Sequence, residues 1–231
     1  NIKIITKKPD VTSLDYGVDL EYGSITDGSN DQSLEAYINM PLGANTAVRV
    51  SAYDLQDGGW IDNELSTKTF TNSGYTIDNS AFAEDDYNEL NKSGYRIRLA
   101  SEIMGQNLDL SMLDQTSEFG GSWETDEAVG PRSNSRFNEE YFDDDFSQIS
   151  LSLSGDLNDN VEYIFTASSF DRDVDYTYDY SEYVEYYNYD GPTYTCDYYD
   201  YYYYYNISGC QDPRMSYTQI DNHERDSYEV R

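Results

Sequence analysis

Between Leu14 and Gly23 the chain alternates without a break: Leu14, Tyr16, Val18, Leu20 and Tyr22 fall on even positions, and Asp15, Gly17, Asp19, Glu21 and Gly23 on odd ones. Successive side chains leave a β-strand on opposite sides, so a period of two predicts a strand with one apolar and one wet face. A strand of about ten residues is also long enough to cross a bilayer when tilted. The pattern recurs down the chain. Leu34, Ala36, Ile38 and Met40 stand against Glu35, Tyr37 and Asn39, and Val48, Val50 and Ala52 against Arg49 and Ser51. Tyr95, Ile97 and Leu99 oppose Arg96 and Arg98, and a fifth strand runs from Leu108 to about Ser117. Ile149, Leu151, Leu153 and Leu157 face away from Ser150, Ser152, Ser154 and Asp156; a seventh strand carries Val161, Tyr163, Phe165 and Ala167, and an eighth begins within Met215 to Arg231.

The links between these strands are of two kinds. Pro41 to Thr46, Met104 to Asn107 and Asn158 to Asn160 are rich in Pro, Gly and Asn and read as tight turns. Residues 64–91, 118–145 and 176–214 are long polar loops. Apart from the short first link, turns and long loops alternate, as they do in a membrane β-barrel with short turns on one side and long loops on the other. A soluble sandwich has less reason to place a long loop at every second connection. Hydrocarbon offers the backbone no hydrogen bonds, so strands cross it only in a closed sheet. The fold expected is therefore all-β, an antiparallel transmembrane β-barrel.

Composition narrows the function. The chain carries 14 basic and 45 acidic residues, a net charge of -31, which repels phosphate backbones and excludes nucleic acid as a partner. So acidic a chain would read as disordered but for its 26 Tyr, 8 Phe and 2 Trp. Tyrosine suits a membrane interface, with an apolar ring and a polar tip. No run approaches the eighteen apolar residues of a transmembrane helix. The chain opens inside one strand and closes inside another, so it reads as a piece of a longer protein with any targeting signal upstream.

Several short motifs carry a resemblance. Ile2 to Pro9, I-K-I-I-T-K-K-P, is similar to the strand that closes the plug domain of TonB-dependent outer-membrane receptors just before their first barrel strand. Asp57-Gly58-Gly59-Trp60-Ile61-Asp62-Asn63 resembles the run in which the family's third strand enters an outer loop. Ser168 to Asp179 and the closing Glu229-Val230-Arg231 resemble further strands of that family. The resemblance implies that residues 1–10 end a plug and that 11–231 form seven to eight strands of a larger barrel, whose two edges are left unpaired. It implies the bacterial outer membrane, with its lipid and lipopolysaccharide, as the location. The implied activity is energy-coupled uptake of a scarce nutrient, most often a ferric siderophore. The implied partner is a TonB-type energy-transducing complex, reached through an N-terminal region outside this sequence.

Candidate sites are few. Arg49, Arg96 and Arg98 fall on the wet faces of their strands and would line a lumen, pairing with carboxylates or guiding an anionic ligand. Cys196 and Cys210, the only cysteines, share one loop; in an oxidising compartment an even count favours a disulfide, worth roughly 3 kcal/mol in the chain-entropy model, over a metal pair. Asp171, Asp173, Asp175, Asp179 and Glu182 match the ligand offsets of a calcium loop, but Tyr176 stands where its sharp turn demands Gly. The plainer reading is a strand with alternating acids on one face; a third is that these carboxylates share divalent cations with lipopolysaccharide phosphates. Residues 176–205 are half tyrosine, which reads either as a stacking surface for a ligand or as low-complexity loop. His223 is the only histidine and no nucleophile motif accompanies it, so no catalysis and no cofactor are expected. The competing class is a soluble or surface-attached all-β adhesion protein using its tyrosine-rich loop.

Overall fold

The alternating segments pair into one antiparallel sheet. The computed structural model describes residues 6–158, 160–187 and 212–231, together with the backbone of 199–200 and 205–206. In chain order the elements are β1 (Asp15–Ser24), β2 (Asn30–Pro41), β3 (Thr46–Asp57), β4 (Asp62–Asn63), β5 (Thr67–Thr69), β6 (Thr76–Asp78), β7 (Leu90–Ile103) and β8 (Gln106–Phe119). They continue with β9 (Ser133–Asn134), β10 (Tyr141–Asn158), β11 (Val161–Asp179), the helix α1 (Ser181–Tyr186), β12 (Tyr199–Asp200), β13 (Tyr205–Asn206) and β14 (Ser216–Val230). The main sheet has eight strands in the order β1-β2-β3-β7-β8-β10-β11-β14, each paired with its neighbour in the chain's own sequence. It is open: β1 and β14 are its edges.

The register lines up the apolar halves of the strands. Tyr16, Ile38, Val50, Ile97, Met112 and Ile149 form one cross-strand row, and Met40, Val48, Leu99, Leu110, Leu151, Ala167 and Tyr228 form the next. Pairs of this kind are the unit of sheet stability, and a slip of one residue would turn every one of them over. The opposite face carries Asn39, Arg49, Arg98, Ser111, Ser150, Ser168 and Ser227 in a single polar row. Among the described residues no other layer covers the apolar face: Tyr16, Leu20 and Ile220 are each about two-thirds exposed or more, at 73%, 73% and 65%.

The hydrophobic core cluster lies elsewhere. Phe70, Ile77, Phe137 and Val184 are buried together, with Tyr75 and Met215 packed on them, and all six come from the three long connections at one end of the sheet. The other end has the link 42–45 and the tight turn of residues 104–105. Polar side chains tie the loop layer together. Asn88 Oδ1 accepts from the amides of Trp60 and Ile61, both at 2.8 Å, and Asp62 Oδ1 accepts from Asp86 N at 2.9 Å. Buried Asn63 donates to the carbonyls of Phe82 and Arg136 and accepts from Arg136 N at 2.7 Å.

The strands run further than the hydrophobic period predicts. β10 starts at Tyr141, inside the stretch expected to be loop, and β11 continues to Asp179. Their outward-facing residues there are acids, Asp143 opposite Asp175 and Asp145 opposite Asp173, so the apolar alternation stops while the pairing goes on. The first expected loop likewise contains the small hairpin of β5 and β6. At the N-terminus, residues 6–10 are irregular rather than strand, and 1–5 lie outside the described residues.

The helix α1 is docked on that small hairpin through Glu185. Its Oε1 accepts from Thr71 N at 2.8 Å and from Thr71 Oγ1 at 2.9 Å, and Lys68 Nζ lies 3.4 Å from Oε2. The Thr71 amide, then its hydroxyl and Lys68, hold the Glu185 carboxyl below the ordinary glutamate range against the opposing effect of burial. A depressed folded value stabilises the docked form above the unfolded pKa and loses that contribution as pH falls through the folded one. Acidification is therefore expected to undock α1 from the hairpin, read as accelerated exchange of the Thr71 amide after correction for intrinsic rate. Glu185→Gln should abolish that pH dependence; an unchanged dependence would show that Glu185 is not its source.

Candidate functional site: an aromatic cleft under the long loops

Where β8, β10, β11 and β14 reach the loop layer, their polar faces turn aromatic. Phe119 ends β8, Phe142 opens β10, Tyr176 and Tyr178 end β11, and Tyr217 opens β14. Cross-strand register places Phe119 opposite Phe142, Phe142 opposite Tyr176, and Tyr178 opposite Tyr217. The rings meet in sequence: Phe119 and Phe142 edge to face at 5.6 Å, Phe142 and Tyr176 stacked at 5.7 Å, and Tyr176 and Tyr217 tilted at 6.0 Å. Trp123 joins at one end, 6.2 Å from Phe119, and Tyr180 and Tyr183, stacked at 5.1 Å, at the other. Aromatic pairs at such separations are each worth about 0.5–1.5 kcal/mol beyond their burial.

Phe119, Trp123, Phe142, Tyr178, Tyr180 and Tyr183 wall an open cleft of about 560 Å³. Its floor is polar. Arg136, buried, sends Nη2 to Glu124 at 2.9 Å and lies with Nε 3.6 Å from Glu140. That Nε makes no hydrogen bond. Burial works against the guanidinium's charge, but Glu140, Tyr87 and Glu182 together outweigh it and hold its pKa above the usual arginine value. Glu140 is fully engaged: Oε1 accepts from Asp179 N at 3.0 Å, and Oε2 accepts from Ser122 N at 3.2 Å and from the Tyr87 hydroxyl at 3.3 Å. Burial pushes the Tyr87 phenol up, so it stays a neutral donor. Asp179 Oδ2 accepts from Phe137 N at 2.6 Å, and Oδ1 from Asn138, from Ser181 N and from Ser181 Oγ. These bonds fix the loop 120–140 against the start of α1, and with them the walls of the cleft.

The sequence-predicted residues fall in three places. Arg49, Arg96 and Arg98 do come together, lining a cleft of about 430 Å³ on the polar face with Asp19, Glu35 and Tyr53. Arg98 is paired bidentately with Asp109, at 2.8 and 2.6 Å, and its Nη1 donates to the carbonyl and hydroxyl of Thr6. Arg49 sits 3.9 Å above the Tyr37 ring centroid and 4.0 Å from Asp15. Asn39 Oδ1 accepts from Asp10 N while its Nδ2 donates to the carbonyls of Asp10 and Ser13, so the segment leading into β1 is pinned across the same polar face.

The calcium-loop candidates are not gathered around a point. Asp171, Asp173, Asp175 and Asp179 stand along the extended β11 and Glu182 in α1. Alternate residues of a strand are about 6.6 Å apart, too far to ring one ion without the turn that Tyr176 denies. Among the described residues no three His, Cys, Asp or Glu are grouped to hold a metal. Cys196, Cys210 and, of the tyrosine-rich stretch, residues 188–198 and 201–204 lie outside the described residues. His223 is on the polar face of β14, opposite Arg172.

Sequence reasoning reached only part of this aromatic site: Tyr176, Tyr178, Tyr180 and Tyr183 fall in the stretch read as a possible stacking surface, whereas Phe119, Trp123, Phe142 and Tyr217 come from three other segments that only pairing brings to it. Arg136 is one of two arginines, with Arg132, in an acidic loop, and nothing in the sequence set it apart. The chain matches no protein-family model, no curated protein and no solved structure.

Proposed function

We propose that this chain forms part of the barrel of a TonB-dependent outer-membrane receptor, taking up a scarce nutrient across the bacterial outer membrane. The observation that carries the reading is the uncovered apolar face, which continues through all eight strands of the sheet. Water-soluble monomers rarely expose contiguous apolar surface beyond a few hundred Å². Lipid would cover this face, and the polar rows of Ser, Arg and Asn on the other would line the lumen. The open edges β1 and β14 call for further strands to complete a barrel, since no backbone edge is tolerated in hydrocarbon. All three long connections lie at one end, where the outer loops of such a receptor stand. The segment of residues 6–13 crossing the polar face fits a chain arriving from a plug inside the lumen. No helix of the described residues is long and apolar enough to cross a membrane, so strands would do so.

The test is migration of the full-length protein on a detergent gel with and without heating. A closed barrel resists cold detergent and migrates as a compact form until boiled. A single band at the unfolded position under both conditions would remove the barrel and leave the surface-attached adhesion protein in its place.

A further inference from the structure

We propose that the aromatic cleft binds an organic cation, a quaternary or protonated amine with an apolar body, and rejects anionic ferric chelates. The inference rests on the reading that this end of the sheet meets solutes outside the cell. It follows from the cleft's charge and from which of its groups remain free.

Four carboxylates line it, Glu124, Glu140, Asp179 and Glu182, against the single cation Arg136. Arg136 is already neutralised by Glu124 and Glu140. Asp179 is consumed by its backbone and hydroxyl donors. Glu182 is different: it sits in the first turn of α1, exposed, and accepts no hydrogen bond among the described residues. A ligand entering the cleft therefore meets aromatic rings and, in Glu182, a carboxylate that makes no hydrogen bond or ion pair among the described residues, although its field also acts on Arg136.

The rings suit such a ligand. Trp123 is 65% exposed, and Tyr180 and Tyr183, although stacked on each other, keep 37% and 48% of their surface open, so part of each ring is left for a ligand. Aromatic faces attract cations through the ring quadrupole, and the attraction grows where water is displaced. No cation lines the cleft except the spent Arg136, so an anionic chelate would find only repulsion. The whole chain, at -31, adds a long-range field of the same sign that draws cations in and turns anions away.

The experiment uses the full-length protein folded in detergent, read as the difference in fluorescence between it and its Trp123→Phe form so that the signal is that of Trp123. Its fluorescence is titrated with choline, with the uncharged isostere in which carbon replaces nitrogen, and with a ferric tris-catecholate. Expected is saturable quenching or shift with choline, at least about tenfold tighter than with the isostere, and none with the chelate. Added salt should weaken the choline interaction, because the charge is screened. Glu182→Gln should weaken it about tenfold, and Tyr183→Ala should do the same at a second exposed position.

Equal binding of choline and isostere, or tighter binding of the chelate, overturns the proposal. So does a Glu182→Gln protein that binds choline as well as its parent. The gel migration of the same sample separates the two readings. A heat-modifiable protein that ignores choline loses only the cation site, whereas a choline-binding protein that never shows the compact form keeps the site and loses the receptor.

Discussion

Gly59→Ala is expected to detach the first long loop from the sheet. A Cβ at Gly59 would lie 1.6 Å from the Asp86 carbonyl oxygen and 2.4 Å from its carbon, which is backbone and cannot swing aside. Asp86 is held by several independent bonds: its amide donates to Asp62 Oδ1, Ser29 Oγ donates to its carboxylate at 2.8 Å, and the next amide, Tyr87 N, donates to Ile61 O at 2.8 Å. Ser29 N in turn donates to Gly59 O at 2.9 Å. Making room for one methyl group breaks this set together, so the cost should reach roughly 3 kcal/mol, the upper end of overpacking. The amides of Asn63 and Tyr87 should then exchange about a hundredfold faster, and protease should cut within 58–89. Gly43→Ala is the control, since nothing lies within 4 Å of a Cβ there. Protection unchanged in Gly59→Ala would mean that the loop does not close over Asp86 in solution.

The same geometry explains why the run Asp57 to Asn63 looks like a motif. Gly58 and Gly59 allow close approach to Ser29 and Asp86, Asp62 caps the Asp86 amide, and Asn63 bridges to Arg136 in the next loop. Each residue is chosen by a contact distant in sequence, and none by local propensity.

The strands of the apolar band were legible because one rule, alternation, governs every residue in them. β1 and the middle of β10 could be read almost residue by residue. The rule fails where the outward environment changes. Above the band, Asp143 and Asp145 on β10 and Asp173 and Asp175 on β11 keep the strand geometry but not the apolar sign, and the pattern reads as acidic loop. The loop layer was illegible for a different reason. Its core of Phe70, Ile77, Phe137 and Val184 draws single residues from three connections, with no period to betray them. The buried Asn63, Asn79, Asn88 and Asn134 look like turn residues in sequence, yet each spends its amide on long-range bonds. The three arginines were placed on the right face by alternation alone, but their partners Asp109, Thr6 and Tyr37 required the register and the path of the N-terminal segment.

Two adjacent residues of β10 offer the sharpest separation of lipid from water. Leu151 stands in the apolar row between Leu110 and Ala167, and Ser152 in the polar face between Asp109 and Thr166. In water both arginine substitutions are surface changes on one strand, and each should alter stability by no more than about 0.5 kcal/mol. In a bilayer they diverge. Leu151→Arg puts a guanidinium near the middle of the apolar band, where it costs about 2–4 kcal/mol, while Ser152→Arg enters a hydrated lumen beside a carboxylate and costs little. The expected result is a denaturant midpoint in lipid vesicles lowered strongly by Leu151→Arg and hardly at all by Ser152→Arg, with the compact gel form scarce in the first and normal in the second. A soluble sandwich covering the apolar face would bury Leu151 and leave Ser152 in water, lowering the midpoints in the same order, so the compact gel form, which such a sandwich does not give, is what assigns the difference to a membrane. Indistinguishable midpoints would place both faces in water and remove lipid from the account of this sheet.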